Sequence, residues 1–293
     1  MSESAATRLR WHLTHPLPLL QHLVLRTESH ASCAGLAFFA LVGFYPFCLL
    51  LLWVSGDLLH WTAGETVIRE ALREYYPEGQ DFLVRNLEAS VQQHGRELTL
   101  AAVFWILLGA AGVFIPLETA FNRLWGATEH RPYWRNQAVG FLLTGAGVVL
   151  AFLFVFVTAA LQAVISELQI LPLLKGATSY AAMRLTAVSV SVAGAFLLYR
   201  FLPNHPVRAR QVLPAAIGAG IVAEAVRWLY LQALPLLELQ KTQGPYYISV
   251  SFALLAYFEA FVLLGGAFAA ARSPQAAATP VEAEPADVAV EQS

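Results

Sequence analysis

Three charged residues stand inside long apolar stretches of the sequence, where charge is expensive to keep. Glu224 and Arg227 lie in residues 211–237, and Glu259 lies in residues 245–271. A charged side chain at the centre of a membrane-spanning helix costs about 2.5–3.5 kcal/mol on insertion scales, so it is retained where it is paired or faces a wet cavity. The three residues are therefore the candidates for a transport site or a polar network.

The spacing of these residues predicts one connected group. Arg227 follows Glu224 by three residues, so the two lie on one helix face, about 4.5 Å apart along the axis. Glu259 lies near the middle of its own apolar block, which predicts a similar depth. A pair between Glu224 and Arg227 would leave one carboxylate without its own cation, available for a proton or a cation. The alternative is structural, because a buried Glu-Arg-Glu network can simply hold two helices together.

The composition indicates the compartment. Of 293 residues, 57% are hydrophobic and 13% are charged, and the mean hydropathy is +0.56. A soluble domain averages roughly 45–50% apolar and about 25% charged residues. The net charge of -2 excludes a strongly basic nucleic-acid-binding protein, and two cysteines exclude a disulfide scaffold. A membrane protein is the class that remains.

Blocks of about 20 apolar residues are long enough to cross a bilayer as helices. The sequence contains six such blocks and predicts an all-α, polytopic membrane protein with six transmembrane helices. The predicted spans are 31–56, 98–117, 138–165, 185–202, 211–237 and 245–271. The remaining segments are predicted to be an amphipathic cytoplasmic or interfacial segment, a helical hairpin outside the membrane and a disordered tail, at 1–30, 57–97 and 272–293 respectively.

The distribution of Lys and Arg predicts the orientation, because basic residues stay on the cytoplasmic side. Ten of them fall in the termini and the even-numbered loops, and seven fall in the odd-numbered loops. Both termini are therefore expected in the cytoplasm. Glu118, Arg123 and Arg200 stand at the predicted cytoplasmic ends of spans and are expected to lie at the membrane interface.

Gly43 and Pro46 are candidates for a hinge in the first span. Proline removes a backbone hydrogen bond and clashes with the carbonyl four residues earlier, which predicts a kink or a break. Broken helices often build binding sites in transporters, although many proline kinks in membrane helices serve only packing. No metal or cofactor site is predicted, because the histidines have no Cys or acidic partner at ligand spacing. No catalytic motif is recognisable either, so an enzyme is not expected.

Several short motifs together resemble the YihY/BrkB family of bacterial inner-membrane proteins. They are Ala34-Gly-Leu-Ala-Phe-Phe-Ala-Leu41 followed by Pro46, Asn122-Arg-Leu-Trp-Gly126, Tyr199-Arg-Phe-Leu-Pro-Asn204, and Leu213-Pro214 with Glu224 ten residues later. The match runs from residue 31 to about residue 271. The resemblance singles out five residues of the family motifs at the ends of spans, which are Asn122, Arg123, Arg200, Pro203 and Asn204.

The resemblance implies a six-helix protein of the bacterial plasma membrane. Members of the family have carried a ribonuclease BN label and a virulence-factor or serum-resistance label, and others suggest a transporter or permease. The nuclease is excluded for this chain, because no two of its histidines are separated by a single residue, as a His-x-His-x-Asp-His site requires. Glu224 matches the family pattern, with Arg123 and Pro46 as weaker companions, whereas Glu259 stands where a small residue is more usual.

Two functions follow as hypotheses. The first is a transporter or permease with its site between the fifth, sixth and kinked first spans, in which Glu224 binds the substrate or a coupling cation. The second is a non-transporting membrane scaffold or envelope-integrity factor, whose working surfaces are the N-terminal segment and the hairpin at 57–97. The expected partners are the lipid bilayer and a small molecule or ion, with no nucleic acid. The substrate and the oligomeric state are left open.

Overall fold

The computed structural model describes residues 27–75, 89, 101, 103–106, 108–109, 112–127, 132–167, 172–204 and 206–271. All regular structure in these ranges is helical. Most of the predicted N-terminal segment, most of the predicted hairpin and the predicted tail lie outside the described residues. The all-α class is confirmed.

The described residues form eight numbered helices. Helix α1 (Thr27–Trp53) continues into a π-helical turn (Val54–Leu58), and α2 (Thr62–Tyr75) follows it. Helix α3 comprises the helical residues 112–125, and residues 101, 103–106 and 108–109 are also helical. The remaining helices are α4 (Tyr133–Glu167), α5 (Pro172–Phe201), α6 (Ala209–Ala233), the short α7 (Leu239–Gln243) and α8 (Tyr247–Ala271).

Within the described residues, five helices are long and apolar enough to cross a bilayer. Their candidate spans are Glu28–Gly56, Trp134–Ile165, Gly176–Phe201, Ala209–Leu237 and Tyr247–Ala271. The predicted span 98–117 is only partly described, so it stays a prediction. The fourth predicted span differs in its start, because α5 begins at Pro172 and not at residue 185. The additional turns bring Arg184, expected in a loop, into the helix.

The bundle is organised around α8, which packs against α1 and α6, while α5 packs between α4 and α6. Helices α1 and α8 run antiparallel: the ring of Phe44 lies 4.4 Å from that of Phe252, and the ring of His30 lies 5.1 Å from that of Phe261. A Cβ atom at Gly220 of α6 would meet Val192 of α5. Small residues thus bring neighbouring helices close, as is usual in membranes.

Helix α1 is continuous through Pro46. Of the expected kink or break, the break does not occur, and the kink stays a prediction. Gly43 has a clear packing role. A Cβ atom on Gly109 would lie 3.0 Å from the Cα atom of Gly43 and 3.2 Å from the carbonyl oxygen of Phe39. The two glycines therefore mark a close crossing of backbones. The hinge function of Gly43 and Pro46 stays a prediction.

Helix α2 lies against the far end of the bundle from the start of α1. Its apolar face is buried through Val67, Ile68 and Leu72, which pack against residues of α1 and α4. Its polar face also contacts α4, because the Nε2 atom of Gln162 donates a hydrogen bond to Oε2 of Glu70 at 3.0 Å. The amphipathic pattern of this short helix is thus used for docking.

Candidate functional site

Glu224 is the buried centre of the candidate site. It lies on the inner face of α6, where only 7% of the residue is exposed. One of its carboxylate oxygens, Oε1, pairs with Nη1 of Arg227 one helical turn later. A buried carboxylate needs such partners, because moving an unpaired charge out of water is costly.

Helix α5 supplies two further partners to the same carboxylate. The Nη1 atom of Arg184 lies 3.5 Å from Oε2 of Glu224, and the hydroxyl of Ser191 donates a hydrogen bond to Oε1 at 3.2 Å. Arg184 and Ser191 are seven residues apart, which is two helical turns and therefore one helix face. Helix α5 thus presents a cation and a hydroxyl to one acid on α6.

Glu259 joins the group from α8. Its Oε1 atom lies 3.2 Å from Nη2 of Arg227, so the guanidinium of Arg227 stands between two carboxylates. This Oε1 atom is buried, yet no donor in the described part of the chain makes a hydrogen bond to it. The contact with Arg227 is an ion pair that links α6 to α8.

The network contains two cations and two carboxylates and is neutral as a whole. Arg184 and Arg227 face Glu224 and Glu259, so each carboxylate has a cation. The prediction that one carboxylate lacks a private cation is wrong. It failed because Arg184 was assigned to a loop, whereas the structure places it inside α5 with its side chain only 19% exposed. The structure does bring Glu224, Arg227 and Glu259 together.

A central cavity of about 700 Å³ opens beside this network. Its wall is almost entirely apolar, and the polar side chains that line it are Ser191, Glu224, Arg227 and Glu259. A volume of this size is typical of sites that bind small molecules. Along α1 the wall runs from Leu36 to Leu51, which corresponds to about 22 Å of helix. The cavity is therefore long as well as apolar.

The far end of the cavity is covered by helix α2. Ile68, Ala71 and Leu72 of this helix are part of the cavity wall. Phe252 and Leu255 of α8 line the same cavity. A helix predicted to lie outside the membrane thus contributes directly to the interior.

The residues singled out by the family motifs gather at the other end of the bundle. The backbone N–H of Asn204 donates a hydrogen bond to Oδ1 of Asn122 at 2.8 Å, and Pro203 is fully buried. Arg123 pairs with Glu28 of α1 at 2.8 Å, with both side chains exposed. Arg200 donates a hydrogen bond to the carbonyl of Val207. None of these motif residues lines the cavity described above. Their contacts join the ends of helices instead.

Two buried residues at this end were not predicted as site residues. Tyr199, fully buried on α5, donates a hydrogen bond from its hydroxyl to the carbonyl of Leu263 on α8 at 2.9 Å. Glu118 of α3 is only 6% exposed and accepts a hydrogen bond from Asn122 Nδ2 at 3.3 Å. Glu118 is thus buried among protein side chains, and its expected place at the membrane interface stays a prediction. The signal was available, since Asn122 follows Glu118 by one turn and both belong to one helix face.

Within the described ranges, no three His, Cys, Asp or Glu side chains come together in a way that could hold a metal ion. Cys33 and Cys48 are both buried and unbridged. The chemistry that the arrangement offers is therefore ion pairing and hydrogen bonding at one wall of an apolar cavity.

These features define a multi-pass α-helical membrane protein with a charged group inside its helix bundle. Comparison of the sequence with known families gives the particular family. The family described as Virulence factor BrkB matches residues 24–289, and the chain belongs to this family.

Curated relatives are similar over much of this chain. A UPF0761 membrane protein of Chromohalobacter salexigens is 26% identical over 277 residues, covering 89% of this chain and 58% of the relative. One from Xanthomonas campestris pv. campestris is 26% identical and covers 69% of this chain and 46% of the relative. One from Pseudomonas aeruginosa is 24% identical and covers 72% and 51%. The chain thus spans about half the length of these relatives.

The comparison with solved structures gave no match to any of them.

Proposed function

We propose that the chain is a transporter or permease of the bacterial plasma membrane whose substrate occupies the central cavity. The observation that carries the proposal is that a cavity of about 700 Å³ reaches the charged group of Glu224, Arg227 and Glu259. Intramembrane charges are kept where they line a cavity on a substrate pathway. The proposal involves no catalysis and no cofactor, and its partners are the bilayer and the substrate.

The arrangement of the charges supports a binding role for Glu224. Arg227 stands between Glu224 and Glu259, and Arg184 approaches Glu224 from another helix. A substrate group that binds one carboxylate can leave the released arginine paired with the other. The exchange keeps every charge paired, so it avoids the large cost of an isolated buried ion. In this proposal Glu224 binds the substrate or a coupling cation, and Arg227 compensates the charge of Glu224.

Accessibility of the cavity from the two sides of the membrane tests the proposal without a known substrate. Ser191→Cys is introduced after Cys33 and Cys48 are replaced by alanine, and vesicles are treated with a membrane-impermeant maleimide from each side. A transporter that alternates its access is expected to react from both sides. The matched control is Thr158→Cys, because Thr158 is 1% exposed and does not line the cavity. Labelling of Ser191→Cys from neither side contradicts the proposal.

The role of Glu224 is tested in the same vesicles. Glu224→Gln keeps the shape of the side chain and removes its charge, so we expect transport to be lost while the folded protein stays in the membrane. In the Ser191→Cys background this loss should appear as labelling from one side only. Glu224→Asp, which keeps the charge, is the control. Two-sided labelling of the Glu224→Gln variant at the unaltered rate would rule out the assigned role.

The alternative, a non-transporting scaffold or envelope-integrity factor, has one observation in its favour. The network is neutral, with a cation for each carboxylate, as expected of charges that only hold α5, α6 and α8 together. On this alternative the extramembrane segment does the work. Deleting residues 64–94 is then expected to harm function more than neutralising Glu224 and Glu259. The reverse order favours transport.

A further inference from the structure

We propose that the cavity binds a zwitterionic phospholipid with a primary ammonium in its headgroup. Its acyl chain would lie along the apolar wall and its headgroup would contact Glu224, Arg227 and Glu259, the charged residues that line the cavity. This inference rests on the proposed function in that it names the substrate class of the same cavity. It would hold as a lipid-binding site even if no transport occurred.

The apolar wall is the first reason. Among the described residues, every lining side chain other than Ser191, Glu224, Arg227 and Glu259 is apolar, including five Phe residues at positions 44, 47, 114, 154 and 252. Away from these four side chains the wall offers water few polar partners, so the apolar part of the cavity is poorly hydrated. Inside a bilayer, the hydrocarbon chains of lipids are available to occupy such a cavity. Lipid tails lose nothing by moving from the bilayer to such a wall, so the wall accepts an acyl chain without selecting it.

A free inorganic ion fits the site less well. A hard cation needs several oxygen ligands, and the oxygens at this wall come from Glu224, Glu259 and Ser191. Those of Glu224 are already shared with Arg184, Arg227 and Ser191. The rest of the cavity offers no replacement for the hydration shell of an ion. The polar group that binds here therefore belongs to an amphipathic ligand, whose apolar part occupies the rest of the cavity.

The charge of the network sets the charge of the headgroup. Two arginines and two carboxylates sum to zero, so a ligand with net charge would leave an uncompensated charge in an apolar surrounding. A zwitterion places its anion towards Arg227 and its cation towards Glu259. The headgroup phosphate and ammonium thus match the two signs that the wall presents.

The carboxylate of Glu259 selects between zwitterions. Glu259 lines the cavity, and its side chain is 21% exposed. A primary ammonium has three N–H donors and can donate a hydrogen bond to this carboxylate. A quaternary ammonium has none. The site should therefore prefer an ethanolamine headgroup to a choline headgroup.

The test measures lipid binding to the purified full-length chain by native mass spectrometry. Phosphatidylethanolamine, phosphatidylcholine and phosphatidylglycerol with identical acyl chains are titrated separately. We expect the ethanolamine lipid to bind about three- to tenfold more tightly than the choline lipid, the size expected of one polar contact within a membrane protein. Equal binding of the three lipids by the unaltered chain overturns the proposal, and this arm needs no variant.

Two variants locate the binding. Glu259→Gln changes the network from neutral to +1, so the preference should shift towards the anionic glycerol lipid. Ala151→Phe fills the cavity from α4, whereas Val149→Phe on the same helix faces outward, since Val149 is 66% exposed. Only Ala151→Phe should remove the tightest bound lipid. An unchanged preference in Glu259→Gln, or equal binding by the two phenylalanine variants, overturns the site.

The result is separable from that of the proposed function. Equal binding of the three lipids together with two-sided labelling of Ser191→Cys would support the transport proposal and reject the lipid-binding proposal. Selective lipid binding together with labelling from neither side leaves a lipid-binding protein that does not transport.

Discussion

The Nη1 atom of Arg184 lies 3.5 Å from Oε2 of Glu224, which joins α5 to α6 within the interior of the bundle. This contact completes a neutral group of four charges, because Arg227 bridges Glu224 to Glu259 of α8. Three helices are thereby linked at the wall of one cavity. The contribution of each ion pair to stability can be measured separately, because each pair joins different helices or different turns of one helix.

Arg184 and Glu224 are expected to be energetically coupled. We expect Arg184→Gln, Glu224→Gln and the double variant to give a coupling free energy of about 0.6–1.7 kcal/mol, the range found for polar contacts inside membrane proteins. The measurement is unfolding of the purified chain in mixed micelles titrated with sodium dodecyl sulfate. Arg184→Lys is the control, since it keeps the charge. A coupling of zero would mean that the contact does not hold α5 to α6.

Gly109 should tolerate no side chain, because an added Cβ would press on the backbone of Gly43. Overpacking of this kind costs about 1–3 kcal/mol, so Gly109→Ala is expected to lower the resistance of the protein to unfolding by that amount. Gly145→Ala on α4 is the matched control, since no atom lies within 4 Å of the added Cβ. Equal stability of the two variants would exclude a close crossing of α1 with residue 109.

Tyr199 and Gly266 form a pair that predicts partial suppression. A Cβ on Gly266 would meet the hydroxyl of Tyr199, so Gly266→Ala is expected to be destabilising. Tyr199→Phe alone should cost about 1 kcal/mol, because it loses the hydrogen bond to the carbonyl of Leu263. The double variant should be less unstable than the sum of the two. The relief stays partial, because the Cβ of Ala219 also lies 2.9 Å from the added atom. Additive losses in thermal unfolding would contradict this contact.

The orientation of the chain is tested with two loop positions. Pro206 lies between α5 and α6, and Gln240 lies in α7 between α6 and α8, and both are exposed. If both termini are cytoplasmic, Pro206→Cys should react with an impermeant maleimide from the cytoplasmic side only, and Gln240→Cys from the other side only. The opposite result would reverse the orientation that the Lys and Arg distribution predicts.

The hinge at Pro46 is tested by restoring its helix. Pro46→Ala supplies the missing N–H donor, so the stability of the first span should rise or stay equal. If Pro46 acts as a hinge, the same variant should restrict Ser191→Cys to labelling from one side. Phe47→Ala, at the adjacent position, controls for simple loss of packing. Higher stability with unaltered two-sided labelling would leave Pro46 as a packing residue.

The sequence predicted the helical class and the proximity of Glu224, Arg227 and Glu259. It did so because charged residues inside long apolar helices are kept where they pair with one another or line a cavity. It did not predict Arg184, because the fourth span was defined as the block that begins after this arginine. The helix extends beyond that block because a paired arginine can stay inside it. Ser191 was missed for a different reason, since a hydroxyl in an apolar helix usually bonds to its own backbone.

The distribution of apolar residues in the sequence could not predict the cavity, nor that α2 covers one end of it. Periodicity shows that Val67, Ile68 and Leu72 share a face of α2, but it does not show what that face meets. The same limit applies to the motif residues. Asn122 and Asn204 are 82 residues apart in sequence, and only the fold places the side chain of one on the backbone of the other.

The pairing of Arg184 with Glu224 also bears on how the chain enters the membrane during synthesis. Arg184 is made 40 residues before its acidic partner, so α5 reaches the bilayer carrying a cation that has no counterion yet. The connection between α5 and α6 consists only of residues 202–208. Insertion of the two helices together as one hairpin avoids exposing that arginine to lipid. The order of biogenesis is therefore constrained by the same ion pair that later lies beside the cavity.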